Sequence, residues 1–278
     1  MKSLRVLVLA LATAATVSAV AKTVCIDIKP VKGDATTVIS KAIDKAKTIA
    51  SEDTALIRLR AGAVYNISRK AAKAALYHVS NTTSVEENST PIKHIGILLK
   101  DMNNVVIDGQ GATLLTHGEM TPWVIDHCSN VTIKNLTIDA ADSSVPEMTV
   151  IDVDKSSFTA KVHNRSKYEL RGGKLYWQGD GWEFTDGIAQ LYDPITETTR
   201  RCASPIVQAT AVEELSPGLL KFSFKGKPEA QKGQTYQMRH SLRTEVAGLI
   251  SESDNVTLSD LSLRFMGNFG IVAQTSKD

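Results

Sequence analysis

The chain has 278 residues, of which 42% are hydrophobic, 5% are aromatic and 22% are charged, and its formal net charge is +2. These values are those of an ordinary globular protein, large enough for one extended domain or two compact ones. The chain has no run of Lys or Arg and few aromatic residues, so the usual features of a nucleic-acid-binding surface are absent. We therefore expect no nucleic-acid partner.

The first 21 residues have the layout of a signal peptide. Lys2 and Arg5 precede an apolar run from Val6 to Ala12, and small residues follow up to Ala21. This pattern predicts export with cleavage after Ala21, since the apolar run is short for a membrane span; a retained anchor is the alternative. We expect a periplasmic or secreted protein with no membrane contact after cleavage. The three cysteines, an odd number, predict no closed disulfide framework.

Residues 22–142 are predicted to begin a stack of short strands whose first end is closed by a helix. Residues 23–28 read as a strand, and Asp34 lies near the N-cap of an amphipathic helix, with strand 55–60 after it. The apolar positions of this helix are Val38, Ile39, Ala42, Ile43, Ala46 and Ile49. A helix here would cover the unpaired edge and open core of a first coil.

An Asn followed by alternating apolar residues occurs three times, at Asn104–Gly109, Asn130–Ile138 and Asn255–Leu263. The alternation predicts strands, and Asn tolerates the left-handed backbone of a turn. The first two copies start 26 residues apart, within the range of about 20 to 50 residues that indicates stacked coils. The repeat therefore predicts an all-β fold built as a parallel β-helix.

Residues 143–243 show a different pattern, in which about six short alternating strands are separated by Gly, Pro and Asp turns. This pattern predicts a small antiparallel β-barrel or sandwich inserted between two coils. The third copy of the repeat starts 125 residues after the second and resumes the stack in residues 244–278. Because no capping segment is evident after Gly270, we expect the chain to be the N-terminal part of a longer protein.

Four stretches resemble the exo-acting α-1,3-galactosidases of glycoside hydrolase family 110: Leu76–Thr83, Ile92–Gly109, His117–Asp126 and Tyr236–Arg243. The likeness runs from about residue 23 to residue 278. It implies a right-handed parallel β-helix with an inserted β-barrel. It also implies a glycan substrate with a terminal α-1,3-linked galactose, as in blood-group-B-type glycans, which is removed with inversion and without a metal or organic cofactor.

Inversion requires a general acid and a general base whose carboxyl groups are about 6.5 to 9.5 Å apart. The resemblance implies that the candidate catalytic aspartates of the family, an adjacent Asp-Asp pair among them, lie on later coils. This chain contains no Asp-Asp pair. We therefore expect catalytic residues beyond Asp278, and no galactose release by the 278 residues alone.

The densest group of acids and histidines on the coils is formed by His117, Glu119 and Asp126. Such side chains suit general acid–base catalysis or sugar binding, but carboxylates at turns also bond locally to the backbone. Of the three, Glu119 is our candidate for substrate binding.

Arg239, His240 and Arg243 lie where the inserted segment returns to the stack. They are candidates for donating hydrogen bonds to sugar hydroxyls, and ion pairing between domains is the alternative. Together with Glu119 they complete the predicted substrate-binding residues.

Three tryptophans have the shape needed to stack on sugar rings, although we expect at least two to be core residues. They are Trp123, Trp177 and Trp182. The acidic residues Asp180, Glu183 and Asp186 lack the spacing of a calcium-binding EF-hand loop, and the alternation around them favours a strand. We predict no metal site.

Two other functions remain open. A polygalacturonase or lyase is compatible with the same fold, but the inserted barrel and the family-specific stretches disfavour it. A non-catalytic carbohydrate-binding or adhesin solenoid remains because the acid pair is missing. The oligomeric state, a homo-oligomer included, is also open.

Overall fold

The computed structural model describes residues 21–49, 51–80, 82, 84–89, 91–266 and 269–277. The predicted signal peptide, residues 1–21, lies outside these residues except for Ala21. Among the described residues no helix has the length and apolar character needed to cross a membrane.

The described chain is almost entirely β. The elements up to the first long connection are β1 (Thr23–Ile28), α1 (Thr36–Ala46), β2 (Thr54–Leu59), β3 (Val64–Ser68), β4 (Lys73–Leu76), β5 (Ile92–Lys100), β6 (Asn103–His117), β7 (Thr121–Asp126) and β8 (Ser129–Ala140). They are followed by β9 (Glu147–Val153), β10 (Ser157–Val162), β11 (Tyr168–Arg171), β12 (Lys174–Gly179), β13 (Trp182–Phe184), β14 (Ile188–Asp193), β15 (Thr198–Cys202), α2 (Pro205–Gln208), β16 (Ala211–Ser216), β17 (Leu219–Ser223) and β18 (Thr235–Arg239). The last strands are β19 (Gly248–Ser251), β20 (Asp254–Leu263) and β21 (Ile271–Gln274).

The strands before β9 and after β18 form two sheets of parallel strands, which together are called the parallel stack. One has the order β1-β2-β6-β8-β20, with β3 also paired to β6, and the other has the order β21-β19-β7-β5, with β4 added antiparallel. From β5 to β8, and again from β19 to β21, successive strands alternate between the two sheets. The chain therefore returns to each sheet one strand further along it.

The three Asn repeats lie side by side in this stack. Val105, Val131 and Val256 are aligned in parallel register, one residue after the leading Asn of each copy. The leading residues Asn104 and Asn130 have φ values of 54° and 55°. The Asn130 amide donates to the Asn104 side-chain oxygen at 2.9 Å. The repeat is thus a hydrogen-bonded ladder of side chains at left-handed turns, where Asn is the most readily accommodated non-glycine residue.

Alternate residues of these strands point into one apolar core, in which Ile107, Val131 and Ile133 are 2% exposed or less. Helix α1 packs against the same core through Ile39 and Ala42, and against β1, β2, β3 and β5. The helix begins at Thr36, whose backbone N–H donates to the Asp34 carboxylate at 2.9 Å. The predicted amphipathic helix and the placement of Asp34 beside its start are confirmed.

The intervening strands β9 to β18 form the antiparallel unit. It has a core of its own, which includes Met148, Phe158, Trp177 and Phe222. Seven of its strands form a sheet in the order β15-β14-β18-β9-β10-β17-β16, and β11, β12 and β13 form a second one. The antiparallel strands that the sequence predicts are present, together with four further ones. Two of the additional strands, β15 and β16, are the exposed edges of the large sheet, where charged residues replace the apolar alternation.

Candidate functional site

A cavity of about 240 Å³ lies where the antiparallel unit meets the parallel stack. Four segments of the chain line it: the connection between β6 and β7, the one between β8 and β9, the hairpin of β12 and β13, and the connection between β18 and β19. Its principal side chains are Glu119, Trp182, Glu183, Phe184, His240 and Thr244. The cavity thus combines carboxyl groups, a histidine and aromatic rings from segments that are distant in sequence.

Two glycines allow the β12–β13 hairpin to approach the stack. The Glu119 N–H donates to the carbonyl oxygen of Asp180 at 2.8 Å. A Cβ on Gly118 would lie 2.7 Å from Asp180 Oδ2, and one on Gly181 would lie 2.6 Å from Arg69 Nε. Both glycines also have φ near +90°, which other residues rarely adopt. The backbone of Glu119 is therefore held by a contact that larger side chains would block.

Two hydrogen bonds from threonine hydroxyls connect residues 119–121, before the insertion, with residues 244–245, after it. Thr244 donates a 3.1 Å hydrogen bond to Glu119, and Thr121 donates a short hydrogen bond to Glu245. Each segment therefore supplies a hydroxyl to the carboxylate of the other. These crossed bonds attach residues 119–121 to residues 244–245.

Burial raises the pKa of the Glu119 carboxyl, and the Thr244 hydroxyl and the neighbouring Arg69, His240 and Lys93 side chains oppose that rise. Burial also raises the pKa of Glu245 to about 7, against the influence of the Lys93 ammonium. Lys93 itself is only 2% exposed. Its own pKa is lowered by burial, an effect that Glu245 and Glu119 oppose. Two carboxyl groups thus share the field of one buried ammonium.

The aromatic part of the cavity comes from β13. Trp182 and Phe184 stack with ring centroids 5.7 Å apart, and the His240 ring meets the edge of Phe184 at 5.8 Å. Trp123 and Trp177 are fully buried. The expectation that at least two tryptophans are core residues is confirmed, and Trp182 is the one that faces the cavity.

The four predicted binding residues divide into two pairs. Glu119 and His240 line the cavity, whereas Arg239 and Arg243 are not among its lining residues. Arg239 donates to the carbonyl oxygen of His240 at 2.8 Å and thereby shapes the turn, and Arg243 lies over the Phe269 ring at 4.8 Å. Burial lowers the pKa of Arg239, with Arg243 acting in the same direction.

The proton of His240 can be placed from its contacts. The Leu242 N–H donates to His240 Nδ1 at 2.9 Å, and the Leu242 carbonyl oxygen lies farther from the same nitrogen, at 3.3 Å. The shorter contact makes this nitrogen the acceptor. The ring proton therefore lies on Nε2, which leaves an N–H donor on a side chain that lines the cavity.

The structure separates the three residues that look like a group in the sequence. His117 Nε2 lies 2.8 Å from the side-chain oxygen of Asn66. Asp126 is buried at the far end of β7, about 16 Å along the strand from Thr121, where it accepts hydrogen bonds from Tyr77 and Lys100. Only Glu119 of the three faces the cavity, because an extended strand carries Asp126 away from it.

The acidic residues of the β13 region do not converge. Glu183 lies on β13 and pairs with Arg171. Within the part of the chain that the structure describes, no group of three His, Cys, Asp or Glu side chains is arranged to hold a metal ion.

Sequence reasoning missed Lys93 and Glu245. Lys93 shares its strand face with Ile95 and Ile97, so the alternation of β5 already places a lysine among buried residues. Glu245 lies two positions after the predicted return segment 239–243 and has no local pattern of its own.

Comparison with known proteins connects this site to a family. Residues 146–235 match the family model "GLAA-B beta-barrel domain I". The alpha-1,3-galactosidase A of Bacteroides thetaiotaomicron is 39% identical over 215 residues, which are 77% of this chain and 38% of that protein. The alpha-1,3-galactosidase A of Bacteroides fragilis is 31% identical over 243 residues, 87% of this chain and 40% of that protein.

A second type of relative, the alpha-1,3-galactosidase B of Bacteroides thetaiotaomicron, is 27% identical over 218 residues, 73% of this chain and 33% of that protein. The chain spans about two fifths or less of the length of these relatives. The matched barrel model coincides with the antiparallel unit, and the matched relatives extend well beyond it into the parallel stack. Over most of its length the chain is therefore a homologue of the alpha-1,3-galactosidases A and B, the relatives that the resemblance to glycoside hydrolase family 110 predicts.

Proposed function

We propose that this chain is part of an exported glycoside hydrolase that removes terminal α-1,3-linked galactose, as on blood-group-B-type glycans, with inversion of configuration. The cavity between the stack and the antiparallel unit then holds the terminal sugar. The names of the relatives support the substrate, and the signal-peptide layout of residues 1–21 supports export. For the fold, we propose a right-handed parallel β-helix interrupted by the barrel, which the alternation of strands between two parallel sheets supports.

One observation carries the sugar-binding part of the proposal: the cavity sets the stacked rings of Trp182 and Phe184 beside the Glu119 carboxyl and the Nε2–H of His240. A pyranose offers C–H groups on its faces and hydroxyls around its rim. An aromatic face packs against the C–H groups. A carboxyl group and an N–H donor can hydrogen-bond to the hydroxyls. At about 240 Å³ the cavity is smaller than the roughly 300 to 1,000 Å³ of drug-sized ligand sites, which favours a single sugar ring.

In this proposal Glu119 and His240 bind and orient the galactose hydroxyls. Trp182 covers the apolar face of the ring and excludes water from it. Inverting hydrolysis additionally needs an acid and a base on opposite sides of the scissile bond, about 6.5 to 9.5 Å apart. We assign neither role to Glu119, whose carboxyl is engaged by Thr244 and coupled to buried charges.

The test is binding of α-1,3-galactobiose to the 278-residue chain by isothermal titration calorimetry, with digalacturonate as the competing ligand class. We expect the galactobiose to bind and the Trp182→Ala variant to bind about tenfold more weakly, a loss of about 1.4 kcal/mol. Tyr176→Ala is the matched control, because Tyr176 lies on β12 under the Arg171 guanidinium and outside the cavity. Binding of digalacturonate alone, or equal affinities of both variants, would reject the proposal.

A further inference from the structure

A glycine lies directly beneath the aromatic wall of the cavity. Gly179 ends β12 and is the antiparallel partner of Trp182, the first residue of β13. A Cβ on Gly179 would lie 2.4 Å from Trp182 Nε1, 2.6 Å from Cε2 and 2.8 Å from Cζ2. Non-bonded heavy atoms pack at about 3.5 to 4.0 Å. The indole therefore occupies the space that any other side chain at position 179 would need.

The alternation of β12 explains why this space opens at the cavity. Leu175 and Trp177 point into the core of the antiparallel unit and are 1% exposed or less. Position 179 is the next residue on the same face of the strand, and there the strand leaves the core and turns towards the parallel stack. An aromatic ring on the neighbouring strand stabilises a sheet by covering a bare glycine of this kind. Trp182 covers Gly179 in this way.

Two further contacts hold the indole in this position. Its ring stacks on Phe184, which lies two residues further along the same face of β13, with 5.7 Å between the ring centroids. The Asp180 carbonyl oxygen, at the turn of the hairpin, accepts the Glu119 N–H at 2.8 Å. The hairpin is thus attached to a residue that lines the same cavity. A ring held in this way needs no rearrangement when a ligand enters, which lowers the entropic cost of binding.

We propose that Gly179 is a positioning residue for sugar binding, because its missing side chain allows the Trp182 indole to form a fixed apolar wall for the terminal galactose. An indole displaced from Gly179 has to enter the cavity of about 240 Å³ or leave its wall, and either change removes the fit to a single sugar ring. This inference rests on the proposed function only in placing a sugar in the cavity. The position of the indole follows from the geometry of the hairpin.

Gly179→Ala separates this effect from backbone strain. The φ of Gly179 lies outside the left-handed region, so alanine can adopt the same backbone conformation. Alanine is also more favourable than glycine inside a strand. The three heavy atoms nearest to the added Cβ all belong to Trp182. The methyl group therefore acts through its contact with the indole, and it should be harmless where the indole has been removed.

The position of the indole is measured first, by the indole N–H cross-peaks in the ¹H–¹⁵N spectrum of the 278-residue chain. The chain has three tryptophans, and the Trp182 peak is assigned by its loss in Trp182→Phe. We expect this peak to move in Gly179→Ala. It should stay in place in the control Gly226→Ala, since no heavy atom lies within 4 Å of that added Cβ. A Trp182 peak that does not move in Gly179→Ala would overturn the proposal.

The effect on the sugar is measured by a double-mutant cycle, with α-1,3-galactobiose as the ligand in isothermal titration calorimetry. We expect Gly179→Ala to weaken binding by about five- to tenfold, close to the effect of Trp182→Ala. In the Trp182→Ala background the same glycine substitution should change the affinity by less than about twofold, because no indole is left to displace. A glycine that only supports the fold of the hairpin would give additive losses, and that result would overturn the positioning role.

The spectrum needs no sugar, so failure of the proposed function can be told apart from failure of this inference. If no galactoside binds to the wild type, the role of Gly179 toward the sugar fails with the proposed function, whereas a moved Trp182 peak still supports the position of the indole. If the peak moves and Gly179→Ala binds the galactobiose as tightly as the wild type, the role toward the sugar is overturned.

A variant that does not fold is also informative. Where Gly179→Ala gives the spectrum of an unfolded chain, the double variant Gly179→Ala/Trp182→Ala decides the matter. A folded double variant assigns the clash to the indole and supports the proposal. An unfolded double variant shows that Gly179 is needed for another reason and overturns it.

Discussion

Thr244 donates a 3.1 Å hydrogen bond to Glu119, a residue 125 positions earlier in the chain. The whole antiparallel unit lies between these two residues. Their contact therefore closes the base of the insertion and at the same time fixes a carboxyl group that lines the cavity. Stability of the junction and geometry of the candidate site depend on the same bond.

Replacing Thr244 with Val tests this dual role, since Val has nearly the shape of Thr but cannot donate. The hydrogen bond from Thr244 lowers the pKa of Glu119, so we expect that pKa to rise further in the variant. The free energy of unfolding should fall by about 1 kcal/mol, the usual net contribution of a hydrogen bond. Urea unfolding and the Glu119 carboxyl titration measure the two effects, and an unchanged titration would contradict the assignment of the bond.

Glu245→Gln should change how stability depends on pH. Burial raises the pKa of Glu245 to about 7, above its ordinary value of 4.5, so the folded chain holds a proton that the unfolded chain releases between these values. The stability from this group is fully present below about pH 4.5 and is lost as the pH rises through about 7. Relative to the wild type, the free energy of unfolding of the variant should therefore rise by up to about 3 kcal/mol between pH 4.5 and 8.

Urea unfolding at pH 4.5, 6 and 8 measures this gain. Glu213→Gln is the control, because Glu213 is exposed on the edge strand β16. Parallel stability curves for wild type and Glu245→Gln would show that the carboxyl group titrates alike in the folded and unfolded chain.

Gly248→Ala should destabilise the stack strongly. A Cβ at this position of β19 would lie 2.0 Å from Trp123 Cζ2, and the Trp123 ring is fully buried and has no space to retreat. We expect a loss of about 3 kcal/mol or more, toward the upper end of overpacking effects. Gly226→Ala is the matched control, since no heavy atom lies within 4 Å of its added Cβ. Thermal unfolding compares the two, and equal melting temperatures would contradict the packing.

The Asn ladder predicts an order of stability at position 130. Asn130→Ala loses the 2.9 Å bond to Asn104 and the 2.7 Å bond from Asn255, and it retains a φ of 55° that alanine adopts unfavourably. Asn130→Gly loses the same bonds, but glycine adopts this positive φ without strain. We expect the free energy of unfolding to fall by about 2 to 3 kcal/mol in the Ala variant and by about 1 kcal/mol less in the Gly variant.

Chemical denaturation of both variants measures this order. Asn164→Ala, at an exposed turn of the antiparallel unit, serves as the reference for a surface asparagine. A glycine variant less stable than the alanine variant would contradict the role assigned to the backbone conformation.

Much of the architecture was predictable because it is encoded in local periodicity. The Asn repeat indicated strands and turns since side-chain alternation and left-handed φ are properties of a few neighbouring residues, and the amphipathic spacing indicated α1 for the same reason. The edge strands β15 and β16 escaped prediction because exposure on both faces removes the alternation on which such predictions depend.

The candidate site, too, could be predicted from the sequence only in part. Sequence by itself determined that an acid at Glu119 and a histidine at His240 stand in segments typical of the family, and that strands stack around an inserted antiparallel unit. Only the tertiary structure decided that Thr244 binds Glu119 across the junction, that Trp182 lines the same cavity as Glu119, and that Asp126 does not. The physical reason is that burial and electrostatic coupling depend on distances in space, and no local pattern relates positions separated by more than a hundred residues.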